Sequence, residues 1–260
     1  MALLKVERIQ GEMIQLWDFN LKLNELTKIA LWSGPRNIST AMMYSFANRL
    51  DTKVVDEPMF GSFLHLSGVN RPSRAEVLLA MELDHKVVID RLVNPSINSA
   101  VYFMKHMANH LHAIDWSFTL NFKNIILTRN PKDVLLSYIK HVEKPTELDL
   151  CYKIQSDFVD FLIANKTKPL IIDAKQLLLN PKIALEKICK YAGISFSDKM
   201  LAWDAGPIQE DGVWEKYWYA SVHKSTGFGK YKISEQSLPK DLEPIYEKSL
   251  MYYNNLLNIK

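Results

Sequence analysis

The sequence predicts a single α/β domain, a mostly parallel central sheet flanked by helices. Three observations predict it. Short apolar runs end in turn residues along the chain, helical patterns lie between most of them, and no repeat, low-complexity tract or Gly/Ser linker interrupts the 260 residues. Strands that alternate with helices require right-handed crossovers, which lay the strands parallel. We expect residues 28–260 to form this domain and residues 1–27 to be a leader segment packed on or beside it.

The first strand is predicted over Lys28–Ser33, an apolar run that stops at Gly34-Pro35. A helix is expected from Ile38 to Leu50, with Ser39 and Thr40 in its first turn. Lys53–Asp56 reads as the second strand, closed by Glu57-Pro58. Further strands are predicted over Lys86–Ile89, Ala100–Met104, Asn124–Thr128 and Leu170–Asp173. Asn130-Pro131-Lys132-Asp133 is a helix start: an N-cap Asn, Pro at the first helical position and an acid near the positive end of the dipole. That helix is expected to reach about His141, with others over Glu147–Asn165, Pro181–Ala192 and Leu242–Leu257. Gly206–Gly229, rich in Gly, Trp and Tyr with little periodicity, reads as an ordered functional loop.

Composition narrows the function. Lys and Arg number 32 against 29 Asp and Glu, and the formal charge of +3 is too small for a protein that coats a polyanion, so no nucleic-acid partner is expected. A locally basic pocket for a small anion stays open. Cys151 and Cys189 sit in no CxxC pair and read as core thiols. The first 28 residues lack the long apolar stretch of a signal peptide or membrane span, so a cytoplasmic enzyme without a membrane partner is expected.

Two segments carry candidate chemistry. Gly34, Pro35, Arg36, Asn37, Ile38, Ser39 and Thr40 lie between the first strand and its helix, where an α/β fold gathers unsatisfied N–H groups at a helix start and binds anions. Arg36 adds a permanent charge, though an exposed arginine in a plain turn would read the same way. The Gly-Lys-Ser/Thr ending of a Walker A loop is missing. Arg129 ends a later strand and Ser137 lies eight residues on, roughly 800° around a helix, so both can face one cleft. They would clamp a second phosphate; a surface arginine ahead of a capped helix explains the pattern about as well.

Together these segments resemble the sulfotransferases that use 3′-phosphoadenosine 5′-phosphosulfate (PAPS). Pro35 to Thr40 looks like a variant of that family's 5′-phosphosulfate loop, and Arg129 to Ser137 like its 3′-phosphate segment. His223, Lys224, Ser225, Thr226 and Gly227 look like its late nucleotide loop. The wording GPRNIST, VVDEP and DGVWEKYWY…HKSTGF resembles a sulfotransferase-like subgroup from about Ala30 to Tyr231. The resemblance implies a P-loop-NTPase-like fold, PAPS as sulfuryl donor, 3′-phosphoadenosine 5′-phosphate (PAP) as product, a hydroxyl or amine of a small molecule as acceptor, and no metal. Ala41 stands where the family often places a Trp against adenine, so Trp214, Tyr217 and Trp218 are candidates for that contact, and Ile38 replaces a loop Gly. His106, beside Lys105, is one candidate base and Glu57 another, while Arg36 is the candidate stabiliser of the leaving phosphate. His106 and His110, four apart, would make a metal pair only on a helix, and the run before them reads as strand. The rivals are a small-molecule kinase, with Asp173 as its metal-holding acid, and a nucleotide-binding protein without turnover.

Overall fold

The computed structural model describes residues 26–232 and 235–259, so most of the expected leader lies outside the described residues. Five strands form one parallel sheet in the order β2-β3-β1-β4-β5: β1 is Thr27–Ser33, β2 Thr52–Asp56, β3 Val101–Met107, β4 Lys123–Thr128 and β5 Leu170–Asp173. β1 lies at the centre, and the chain leaves it toward β2 on one side before crossing to β4 on the other. In such sheets ligands bind outside the carboxyl ends of the strands, where the order reverses.

Alternation along the strands feeds two cores. Ile29 and Leu31 of β1, with Phe103 of β3, pack under helix α1, Ser39–Ala47. Ala30, Trp32 and Met104 face the other layer, which holds helix α7, Tyr152–Ala164. Between α1 and α7 the chain forms α2 (Phe60–Ser67), α3 (Arg74–Ala80), α4 (His85–Val93), α5 (Pro131–Tyr138) and α6 (Glu147–Leu150). After α7 come α8 (Ala174–Leu179), α9 (Pro181–Ala192), α10 (Glu215–Trp218) and α11 (Glu243–Leu257).

Two expectations are corrected. Lys86–Ile89 is not a strand but the first half of α4. Asp84 caps it, accepting from the Lys86 N–H at 2.8 Å, and Val88 and Leu92, four apart, are its buried face. The helix expected over Glu147–Asn165 is split at Cys151, whose φ of 70° ends α6 and starts α7. Both cysteines are free and buried. No helix among the described residues is long and apolar enough to cross a membrane.

Candidate active site

A cavity of about 380 Å³ opens at the carboxyl ends of β1, β2, β3 and β4, and residues just beyond each of them line it. The β1 loop is wound tightly. Arg36 and Ile38 both take left-handed φ values, 59° and 60°, a conformation that costs a non-glycine residue about 1–3 kcal/mol. Ile38 is the N-cap of α1 and supplies no side-chain cap, so the first-turn N–H groups are left to an incoming acceptor. Gly34 stays out of the lining; a Cβ there would stand 2.9 Å from the Leu150 carbonyl oxygen. The Asn37 side chain donates to the Leu127 carbonyl at 3.1 Å, fastening the loop to β4.

Arg36 and Arg129 meet in this cavity. Arg36 Nε donates to Ser137 Oγ at 2.9 Å, and Arg129 Nη1 donates to the Arg36 carbonyl at 3.0 Å. Burial first, and the positive charge of Arg129 second, push the Arg36 pKa down. Two half-buried guanidinium groups repel, and an anion between them would relieve the repulsion. Asp133 gives partial compensation, 3.6 Å from Arg129 Nε. Tyr152 steadies the strand end by donating to the Arg129 carbonyl at 2.7 Å.

A second, fully buried group closes the other end. Lys105 Nζ donates to Asp56 Oδ1 at 2.9 Å, Glu57 Oε1 at 2.6 Å and the Tyr219 hydroxyl at 2.6 Å. Tyr219 donates to Asp56 Oδ2 at 2.7 Å and accepts from Trp214 Nε1 at 3.1 Å. Burial alone would lower the Lys105 pKa, but Asp56 and Glu57 outweigh it and hold the ammonium well above its ordinary value. Asp56 is raised, by burial and by Glu57, against the pull of Lys105. Glu57 has a φ of 43°, its N–H bonded to the Lys105 carbonyl at 2.8 Å, and its Oε2 lies 3.6 Å from His110 Nε2. Burial drives His110 down to about 3, so the ring is neutral. The Arg71–Asp149 ion pair lies on the same cavity.

His106 lies elsewhere. β3 runs unbroken through Met107, so Lys105 and His106 point to opposite faces. Lys105 reaches the cavity, whereas His106 is 0% exposed and stacked on Trp32 with ring centroids 4.2 Å apart. Neither of its ring nitrogens has a partner among the described residues, and burial holds its pKa well below the usual histidine range. His106 is therefore corrected from base candidate to core residue, and Glu57 is the candidate that faces the cavity.

Gly206–Gly229 is an ordered wall of the cavity, as expected. Trp214, Trp218 and Tyr219 line it, as do Ser225 and Gly227 of the late loop. Lys224 and Thr226 are exposed and off the lining. His223 instead pairs with Asp211 at 3.0 Å, and Asp211 also accepts from the Tyr44 hydroxyl and the Ile208 N–H, stapling the segment to α1. Tyr217 turns outward to Glu76, 3.0 Å from its hydroxyl, and so leaves the set of candidate adenine contacts. Asp173, the acid named for a kinase, instead caps α8 and accepts from Tyr253, away from the cavity.

Sequence reasoning missed Arg71, Asp149, His110 and Tyr219 as lining residues and passed over Lys105 as a neighbour of the histidine. Only Lys105 and Tyr219 carried a signal, strand parity for one and the aromatic run of the loop for the other.

A parallel sheet with a cavity at its strand ends, an uncapped helix start beside an arginine and strained backbone at the same place define an α/β domain of P-loop-like architecture. The chain belongs to the sulfotransferase domain family, whose description matches residues 27–257. Two Arabidopsis thaliana proteins, branched-chain-amino-acid aminotransferase-like proteins 1 and 2, are each 40% identical to it, over 226 and 233 residues. Those matches take in 86% and 88% of this chain but 40% and 41% of the relatives, so the chain spans about two fifths of their length. Among solved structures, a sulfotransferase from Alicyclobacillus acidocaldarius superposes with a TM-score of 0.52 at 11% identity, covering 89% of this chain and 96% of that one. The sulfotransferase domain of the Synechococcus PCC 7002 olefin synthase gives 0.50 at 14%, with the same coverage. At such identities the likeness speaks for the fold.

Proposed function

We propose that the enzyme moves a sulfuryl group from PAPS to a hydroxyl of a small acceptor and releases PAP. The observation that carries this reading is the meeting of Arg36 and Arg129 in one cavity, two cationic subsites supplied by the ends of adjacent strands. The start of α1, with Ser39 and Thr40, would hold the 5′-phosphosulfate. Arg129 and Ser137 would hold the 3′-phosphate, and Trp218 would meet adenine.

In the step itself the acceptor oxygen attacks sulfur while the bond from sulfur to the 5′-phosphate oxygen breaks. The electron pair leaves with PAP, where Arg36 offsets the growing charge, and the acceptor proton passes to Glu57. The step as written has no role for a metal. Lys105 and His110 would position Glu57 between them.

PAP should stabilise the protein thermally, by about 2.7 kcal/mol at a hundredfold excess over its Kd, and ADP at the same concentration should stabilise it less. Arg129→Ala should weaken PAP binding more than ADP binding. Equal shifts for the two nucleotides, in wild type and variant alike, would remove the 3′-phosphate subsite and with it this reading. In single-turnover transfer, Glu57→Gln should slow the step by about 10²–10⁴, and a normal rate would take the base role from Glu57.

A further inference from the structure

The two ends of the cavity differ in charge. Arg36 and Arg129 give one end two cations, answered among the described residues only by Asp133. At the buried end three carboxylates, Asp56, Glu57 and Asp149, face two cations, Lys105 and Arg71. Glu57, Lys105, Arg71 and Asp149 all line the one cavity. His110 is neutral and adds nothing. Asp56 and Glu57 thus share the single ammonium of Lys105, and carboxylates exceed cations by one in a region shielded from water, where incomplete compensation is costly.

The wall around that surplus is aromatic. The Phe60 and Phe63 rings lie 5.4 and 5.2 Å from the His110 ring, and Trp214 stands edge to face with Phe60 at 5.1 Å. Tyr219 already meets a cation, with Lys105 Nζ donating to its hydroxyl at 2.6 Å. A surplus carboxylate behind aromatic rings favours an alkylammonium group over a neutral group of equal size and disfavours an anion.

We infer that the acceptor is a small amino alcohol, its ammonium group held at the acid-rich aromatic end and its hydroxyl directed toward the two arginines. The inference rests on the sulfotransferase reading and adds the acceptor's charge class to it. A bound ammonium would supply the missing cation, and the donor, which is an anion, would take the opposite end. The polarity of the cavity therefore orients both substrates.

The test is calorimetric binding to protein first saturated with PAP. Choline, its uncharged carbon isostere neohexanol, and lactate serve as cationic, neutral and anionic probes. Choline should bind about tenfold more tightly than neohexanol, a preference within reach of a desolvated cation–π contact, and lactate should bind most weakly. Asp56→Asn, which keeps the shape and removes the surplus charge, should bring the choline and neohexanol affinities close together. Glu57→Gln should do the same if the first variant fails to fold. Neohexanol or lactate binding as tightly as choline, or choline failing to bind the PAP complex at all, would overturn the inference while leaving the sulfotransferase reading intact. Failure of PAP itself to bind, seen in the first stage of the same titration, would instead overturn the reading and take the inference with it.

Discussion

Lys105 is 2% exposed and its ammonium is held by two carboxylates and a phenol. Such a group is expensive to bury and more expensive to unpair, because removing one partner leaves the others charged in a poor solvent. Lys105→Met should therefore destabilise the fold by about 3–5 kcal/mol in chemical denaturation, and combining it with Asp56→Asn should recover part of that loss. A single variant as stable as the wild type would mean that water reaches the cluster. The same residue shows what the sequence carried at this scale. Residues tied to a strand end by a turn, such as Arg36, Glu57 and Arg129, were legible because their backbone position fixes where they project. The choice between Lys105 and His106 turned on where β3 ends, since alternation reverses with a shift of one residue. Arg71 and Asp149 meet from segments 78 residues apart, and no local pattern announces such a pair.

At the scale of elements, the turn between β1 and α1 depends on contact with the α6–α7 break. The Leu150 carbonyl oxygen approaches Gly34 so closely that a methyl group would lie 2.9 Å from it, with Asn37 Nδ2 at 3.2 Å. Since backbone oxygen cannot move aside as a side-chain tip can, Gly34→Ala should displace the loop, cost about 1–3 kcal/mol of stability and weaken PAP more than this loss alone would explain. Melting curves with and without PAP test this; equal nucleotide shifts in variant and wild type would show that the loop tolerates the methyl group. Most elements were legible because period and punctuation agree in them, as at Leu170–Asp173 and Pro181–Ala192. Lys86–Ile89 was not, because a four-residue apolar run has no period of its own. The cap at Asp84 and the distant Leu92 decide in favour of helix. The left-handed turn at Cys151 lacks the Gly or Asn that would have flagged it.

For the whole molecule, the burial of ionisable groups sets the response to acid. His106 and His110 are neutral in the folded state, with His110 at about 3 and His106 well below its ordinary value, both chiefly through burial. In the unfolded chain each takes up a proton near pH 6.5. Groups depressed in this way give stability that is complete above the unfolded pKa and is lost as pH falls toward the folded one. Asp56 has the opposite sign: its raised pKa gives stability that is present below its unfolded value and lost as pH rises through its folded one. From these three groups alone, two histidines against one carboxylate, the unfolded chain binds roughly one proton more than the folded protein near pH 5, a contribution of about 1.4 kcal/mol lost for each unit of acidification. His106 permits a clean separation, because it lies outside the cavity and has no hydrogen-bond partner among the described residues to forfeit. His106→Phe should keep the stack on Trp32, leave PAP affinity at pH 7 unchanged, and flatten the fall in stability between pH 6.5 and 4.5 by up to about 1.4 kcal/mol per unit. Denaturant midpoints across that range measure the slope. If the variant's slope matches the wild type's, His106 titrates normally and is not sealed in the core; if PAP affinity falls as well, its exclusion from the active cavity is wrong.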